Sequence, residues 1–301
     1  MDRKGILYAV GAYVMWGLFP LYWKQLEDIP ALQIIGHRIG WSFILLALVV
    51  LVAGQWSAFR AAALHRKMVR IYLVAALLIT INWFTYVWAV THGFVIETSL
   101  GYYINPLFSV LLGVTIFRER LRPIQWVPIG LAASGVLYLT LSYGSLPWIA
   151  LTLALSFGLY GLVKKTAPLS SLHGLTLETG LLFLPALLYL LWCEQTGTGA
   201  FLHSTPQENW MMFGAGLVTT VPLLLFASAA PRVPLTVLGI LQYINPTMQF
   251  LLGVLVYKEP FTHDRLIGFG LVWAGLILFW VEGLYARRNL SSEPVPELGE
   301  G

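Results

Sequence analysis

The chain has 301 residues, of which 58% are hydrophobic and only 11% charged, with a formal charge of +4 and a mean hydropathy of +0.75. A soluble domain carries roughly 25% charged residues, so composition excludes a water-soluble globule and a nucleic-acid-binding face, and it makes lipid the solvent for most of the chain. The single cysteine, Cys193, excludes an intrachain disulfide.

A membrane-crossing helix needs about 20 mostly apolar residues. Ten segments meet that length in chain order: 6–23, 31–53, 71–91, 95–116, 124–142, 146–163, 172–192, 210–229, 234–256 and 265–285. The first, ILYAVGAYVMWGLFPLYW behind a basic start, is too long for a signal-peptide core and is read as a retained span. The second holds His37 and Arg38. The third, TINWFTYVWAVTHG, has Asn82 and Trp83 at mid-span, with Trp88 and His92 nearer its outer end. The fourth contains YINPLFSVLLGVTIFRER from Tyr103, broken by Pro106. The seventh holds Glu178. The ninth contains YINPTMQFLLGVLVYKEP from Tyr243, broken by Pro246. The longest loop, 193–209, is too short for a folded domain.

Short loops on one side collect Arg3, Lys4, Arg60, Arg66, Lys67, Arg70, Arg118, Arg120, Arg122, Lys164, Lys165, Arg232, Arg287 and Arg288. The other side receives only Lys24, Lys258 and Arg265. Basic residues mark cytoplasmic loops, so both termini are expected in the cytoplasm.

The two YINP stretches lie 140 residues apart, and the same shift carries Gly113 onto Gly253, Glu119 onto Glu259, Gly130 onto Gly270 and Gly135 onto Gly275. Near the start it becomes 141, where MWGLFPLYWK from Met15 matches SFGLYGLVKK from Ser156. The expected fold is therefore all-α integral membrane: ten transmembrane helices as two inverted five-helix repeats. The first repeat covers 1–143, the second 144–288, and a short tail 289–301. Because five is odd, the second copy enters from the opposite face, an architecture of many secondary transporters. Proline in a helix interior removes a donor and clashes with the preceding turn. Pro106 and Pro246 are thus expected to kink their helices, and such breaks survive in a membrane only against protein or a wet cavity.

Helical spacing puts Ser99, Tyr102, Asn105 and Ser109 on one face, and Gln242, Asn245 and Gln249 on the corresponding face of the ninth span. These stripes either line one cavity or bond helix to helix. Arg38 lies roughly 8 residues into its span, about 12 Å deep, and the shift places Glu178 at the same level of the seventh span. The two charges either pair near the midplane, as intramembrane charges do, or reach outward to the edges. His37 is a possible proton-linked group. Trp16, Trp83 and Tyr102 offer flat faces to an organic solute, and the matched glycines suit close helix contact.

Ten spans in two halves, a Pro-interrupted fourth helix and a following Glu resemble the drug/metabolite transporter superfamily, in particular its EamA group. WGLFPLYWK at Trp16, GHRIGWS at Gly36, INWFTYVWAV at Ile81, ETSLGYYINPL at Glu97 and LQYINP at Leu241 look like the RarD-like members. The resemblance runs from about Lys4 to Arg287. It implies a multi-pass protein of the bacterial inner membrane that exports a small organic solute by alternating access around a midplane cavity. RarD-like proteins are described as chloramphenicol-sensitivity proteins, and other relatives export amino acids and metabolites. No cofactor, metal or nucleic acid is implied, and monomer and homodimer stay open. A non-transporting sensor or assembly subunit is the alternative. An intramembrane enzyme is disfavoured, because His37, His65, His92, His173, His203 and His263 are scattered with no ligand pair on one helix.

Overall fold

The computed structural model describes residues 2–91, 95–143, 148–256 and 263–291. His92, Lys258, Glu259 and everything from residue 292 lie outside the described residues, as do the side chains of Ser99, Arg265, Arg287 and Arg288.

Every regular element among the described residues is helical. In order these are α1 (Arg3–Gly17), α2 (Phe19–Trp23), α3 (Ala31–Val52), α4 (Trp56–Ala63), α5 (Arg66–Thr91), α6 (Val95–Thr115), α7 (Trp126–Tyr143), α8 (Trp148–Thr166), α9 (Ser171–Gln195), α10 (Pro206–Ala229), α11 (Leu235–Gln242), α12 (Ile244–Leu251) and α13 (His263–Ser291). A π-helical segment, Leu252–Val256, continues α12. Helix starts carry the expected chemistry. The Thr205 hydroxyl accepts from the Glu208 N–H, and the Glu208 carboxylate accepts from the Thr205 N–H, a reciprocal cap followed by Pro206. Ser170 caps α9 through the N–H of His173. Beyond α9, Gly197 sits at φ +70°, which costs glycine nothing.

Eight helical stretches among the described residues are long and apolar enough to cross a membrane. The helices α6 and α13 fall outside that set, and α13 contributes a shorter apolar stretch, Leu266–Phe279. Two features differ from the sequence reading. α4 is a short helix where only a loop is expected; it turns Phe59 inward against Val50 and Tyr72. And α13 continues to Ser291, past the boundary at 288.

The chain divides into two compact units, Met1–Glu119 with Leu146–Pro260, and Arg120–Ser145 with Phe261–Gly301. In the first unit α3 packs on α9 and α10, α5 on α8 and α9, α6 on α8 and α11, and α1 on α10, α11 and α12. Its polarity is that of a lipid-solvated protein. Gln33, Arg38, Asn82, Asn105, Glu178, Thr219, Gln242 and Asn245 are buried, while Leu7, Leu48, Leu77, Leu111, Leu188 and Leu217 face outward. The packed interior centres on Ala9, Ala12, Tyr13, Tyr160, Leu223 and Phe226. Small residues set the helix spacing at particular places: a Cβ on Gly239 of α11 would lie 2.6 Å from the carbonyl oxygen of Pro106.

In the second unit α7 and α13 pack along each other. Gly135 abuts the carbonyl of Gly268, and Gly275 abuts that of Pro128, each at 2.6 Å from an added Cβ. Glu282 ties the start of this pair by accepting from Arg122 at 3.0 Å and Gln125 at 3.2 Å. Gly130 and Gly270 were expected to serve close contact as well, but nothing lies within 4 Å of a Cβ at either.

Candidate functional site

A cavity of about 70 Å³ lies inside the first unit, lined from α1, α2, α3, α5, α6, α8, α10, α11 and α12. Nine residues singled out in the sequence line it: Trp16, Arg38, Asn82, Trp83, Tyr102, Asn105, Gln242, Asn245 and Gln249. Phe19, Trp23, Ile79, Tyr86, Phe157 and Leu223 complete the wall. Helix spacing explains the convergence, since Asn82 and Tyr86, Tyr102 and Asn105, and Asn245 and Gln249 are three or four apart and share a helix face.

Arg38 is 7% exposed and is the one charged side chain among the lining residues. Its Nε donates to Thr219 Oγ1 on α10 at 2.9 Å. Its guanidinium carbon lies 4.7 Å from the Trp23 ring centroid and 4.5 Å from that of Trp83, with Phe19 at 6.0 Å. A guanidinium over an indole face gains about 0.5–2 kcal/mol per contact. That attraction holds the group in place without neutralising it. Among the described residues no carboxylate pairs with it.

The carboxamides divide by what they already bond. Asn82 Nδ2 donates to the Leu153 carbonyl at 3.0 Å and to Ser156 Oγ at 3.1 Å, tying α5 to α8. Gln249 Nε2 donates to Asn245 Oδ1 at 2.9 Å and to the Trp16 carbonyl at 3.3 Å, tying α12 to α1. Asn105 is different: 2% exposed, its Oδ1 has no hydrogen-bond partner. An unpaired buried acceptor costs about 1–3 kcal/mol. Flat walls come from Trp16, packed against Phe157 at 5.5 Å and Phe226 at 5.7 Å, and from Tyr86 against Tyr102 at 5.8 Å.

Several expectations are corrected. Arg38 and Glu178 do not pair, and Glu178 is absent from the cavity wall. Glu178 Oε1 accepts from Lys164 Nζ at 2.6 Å, and its Oε2 accepts from the Tyr160 hydroxyl at 3.0 Å. The repeat shift equates their neighbours as well, since Phe19 and Trp23 beside Arg38 fall on Tyr160 and Lys164 beside Glu178, but the neighbours differ in chemistry: Trp23 offers Arg38 a ring where Lys164 offers Glu178 a counter-charge. Lys164, read as a loop charge, is buried inside that pair. His37 leaves α3 on another face and stacks on Phe201 at 4.9 Å, away from the lining. Ser109 packs on α11 opposite Gly239 rather than on the cavity. The two YINP stretches differ in helical regularity. α6 is continuous through Pro106, whereas the second stretch breaks at Tyr243, ahead of Pro246, where the Tyr243 N–H donates to the Ile240 carbonyl in a tight turn.

Thr219, Trp23, Tyr86 and Phe157 escaped the sequence reading. Thr219–Thr220 is a polar pair in an apolar run and was a usable signal. The aromatic residues are ordinary in composition, and only the packing brings them to Arg38 or the cavity.

The profile of the EamA-like transporter family matches residues 3–141 and again 146–281. The protein named "Uncharacterized transporter YojE" from Bacillus subtilis (strain 168) is 48% identical over 296 residues, covering 96% of this chain and 98% of that protein. "Protein RarD" from Escherichia coli (strain K12) is 39% identical, covering 96% of this chain and 98% of its own. A solved crystal structure aligns with a TM-score of 0.69 at 17% identity, covering 94% of this chain and 99% of that one, a likeness of fold alone.

Proposed function

The chain belongs to the EamA-like transporter family, and from that premise we propose that it is a secondary transporter of the bacterial inner membrane. It exports a small organic solute such as an amino acid, a metabolite or an amphenicol-like drug, with both termini in the cytoplasm. The observation that carries the reading is the cavity itself, a buried chamber that holds a guanidinium, carboxamides and indole faces among helices whose outer surface is apolar. Arg38, Trp83, Tyr102, Asn105 and Gln242 contact the solute; Asn82, Asn245, Gln249 and Trp16 shape the chamber. Glu178 and His37 are left out of that contact set, because their side chains are engaged elsewhere.

Alternating access between two inverted five-helix halves is the mechanism we infer. The helix pairings support it, because exchanging the halves maps them onto themselves: α1 on α10 corresponds to α8 on α5, α3 on α10 to α9 on α5, and α6 on α8 to α11 and α12 on α1. Pockets that take drug-sized ligands measure roughly 300–1,000 Å³, so on this reading a chamber of about 70 Å³ is a contracted state that widens to load. The break at Tyr243 and the π segment after α12 are where such movement is easiest, since both already depart from regular α-helix. The sequence carries no phosphate-loop motif, which favours exchange or an ion gradient as the energy source.

The test is solute counterflow in proteoliposomes holding the purified protein, with labelled amino acids, organic acids and chloramphenicol. Trans-stimulated uptake of any of them above empty liposomes is expected. Solute-dependent melting shifts without flux across the whole set would favour a sensor and overturn the transporter reading.

A further inference from the structure

Resting on that transporter reading, we propose that the solute is an organic anion, bound through a carboxylate on the open edge of Arg38, and that neutral amphenicols are not its cargo. The geometry of Arg38 selects the ligand. The guanidinium carbon lies 4.7 Å from the Trp23 ring centroid and 4.5 Å from that of Trp83. The Nε edge is taken by Thr219. What remains, with no hydrogen-bond partner among the described residues, is the fork of the two Nη nitrogens. A planar fork with two donors to offer matches a carboxylate, which accepts two parallel hydrogen bonds. A neutral carbonyl or nitro group would accept hydrogen bonds there and leave the buried charge uncompensated.

Among the described residues the protein supplies Arg38 with no carboxylate counter-ion. Glu178 is consumed by Lys164 and Tyr160. Glu119 is consumed by the N–H groups of Leu235 and Thr236. Among the described residues the chamber wall carries one positive charge and no negative one. A buried charge without a partner is costly, and its persistence inside a chamber is explained when the missing partner is the cargo.

Two further features define the rest of the molecule. Asn105 is a wall residue whose Oδ1 has no hydrogen-bond partner among the described residues, and once the chamber widens it would take an N–H or O–H donor from the solute. Trp16, Tyr86 and Phe157 form an apolar, flat wall for its body. A phosphate monoester, with a charge of about −1.5 to −2 near neutrality, exceeds what one guanidinium neutralises. The solute class is therefore a monoanionic carboxylate with a donor group and a flat or apolar body.

The experiment compares the growth medium of bacteria expressing the wild-type protein, the Arg38→Gln variant, or an empty vector, by mass spectrometry of anionic, neutral and cationic solutes. Any carboxylate that accumulates is then assayed in proteoliposomes beside its carboxamide analogue and chloramphenicol. Carboxylates accumulating with wild type and transported in preference to their carboxamides support the proposal, with a ~10- to 100-fold weaker apparent affinity in Arg38→Gln. Accumulation of neutral or cationic solutes alone, or equal transport of carboxylate and carboxamide, overturns it and leaves the transporter reading intact. Should Arg38→Gln fail to reach the membrane, the wild-type preference decides alone. Absence of any transported solute with wild type, in cells and in liposomes, removes the transporter reading itself.

Discussion

Tyr243 donates its hydroxyl hydrogen to the main-chain carbonyl of Tyr103 at 3.3 Å, and the two rings lie 6.1 Å apart. These residues occupy the same place in the two YINP stretches, 140 positions apart in sequence. The contact ties the two stretches to each other, the C-terminal end of α11 to the middle of α6. Both side chains are buried, and Tyr243 ends α11 at the turn before Pro246.

Tyr243→Phe keeps the ring and removes the donor. A hydrogen bond of this kind contributes about 0.5–1.5 kcal/mol, so the variant is expected to melt a few degrees lower in detergent while remaining monodisperse. An unchanged melting temperature, read by intrinsic tryptophan fluorescence, would mean that this contact contributes nothing to holding α6 against α11.

The Nε of Arg38 rests on Thr219, and Thr219→Val replaces the acceptor by a methyl of similar size. The guanidinium then loses one anchor but keeps both indole faces. The expected result is a KM raised roughly 3- to 10-fold, within the range for loss of one ordinary hydrogen bond because both indole contacts stay, with little change in melting temperature. A drop in stability with KM unchanged would assign Thr219 to packing alone.

Lys164 and Glu178 form an ion pair whose side chains are 3% and 2% exposed. Removing one member of such a pair costs about 3–5 kcal/mol, whereas replacing both with apolar residues of similar volume is often neutral. Glu178→Leu is expected to destabilise strongly and Lys164→Met with Glu178→Leu to recover most of the loss. Urea or thermal scans of the single and double variants measure this directly. A double variant no better than the worse single one would contradict the assignment of this pair as self-contained.

Glu119 reaches across from the end of α6 to the start of α11. Its carboxylate accepts from the Leu235 N–H at 2.7 Å, the Thr236 N–H at 2.9 Å and the Thr236 hydroxyl at 2.6 Å. A carboxylate at a helix N-terminus satisfies orphan donors and meets the positive end of the helix dipole. Gly113 makes room for it, since an added Cβ would lie 2.7 Å from both Glu119 Oε2 and Thr236 Oγ1. Glu119→Ala is expected to cost about 0.5–2 kcal/mol, the range for losing a helix cap, and Gly113→Ala to perturb the same contact. Faster proteolysis at the start of α11 in both variants is the observable; protection equal to wild type in both would remove the capping role.

Much of the fold and part of the site were legible in the residues themselves. Apolar runs of span length announced membrane helices because hydrocarbon leaves the backbone no other partner than itself. The shift that aligns YINP, the glycines and Glu119 pointed to a duplicated chain; polar residues at helical spacing pointed to Tyr102, Asn105, Gln242, Asn245 and Gln249, and depth within the spans to Trp16, Arg38, Asn82 and Trp83, all of which line the cavity. All of these signals are local or periodic, and they depend on what a residue is and how far along the helix it sits. What only the tertiary structure decided is which side chains meet across the helices. Arg38 and Glu178 stand at equivalent depths, yet one meets Thr219, Trp23 and Trp83 while the other meets Lys164 and Tyr160. A helix presents a new face every 100° or so of rotation, and which face meets which neighbour is set by packing of small against large side chains along the whole helix. The sequence determined that charges are buried in this membrane protein; the packing determined that Glu178 meets Lys164 while Arg38 meets no carboxylate among the described residues.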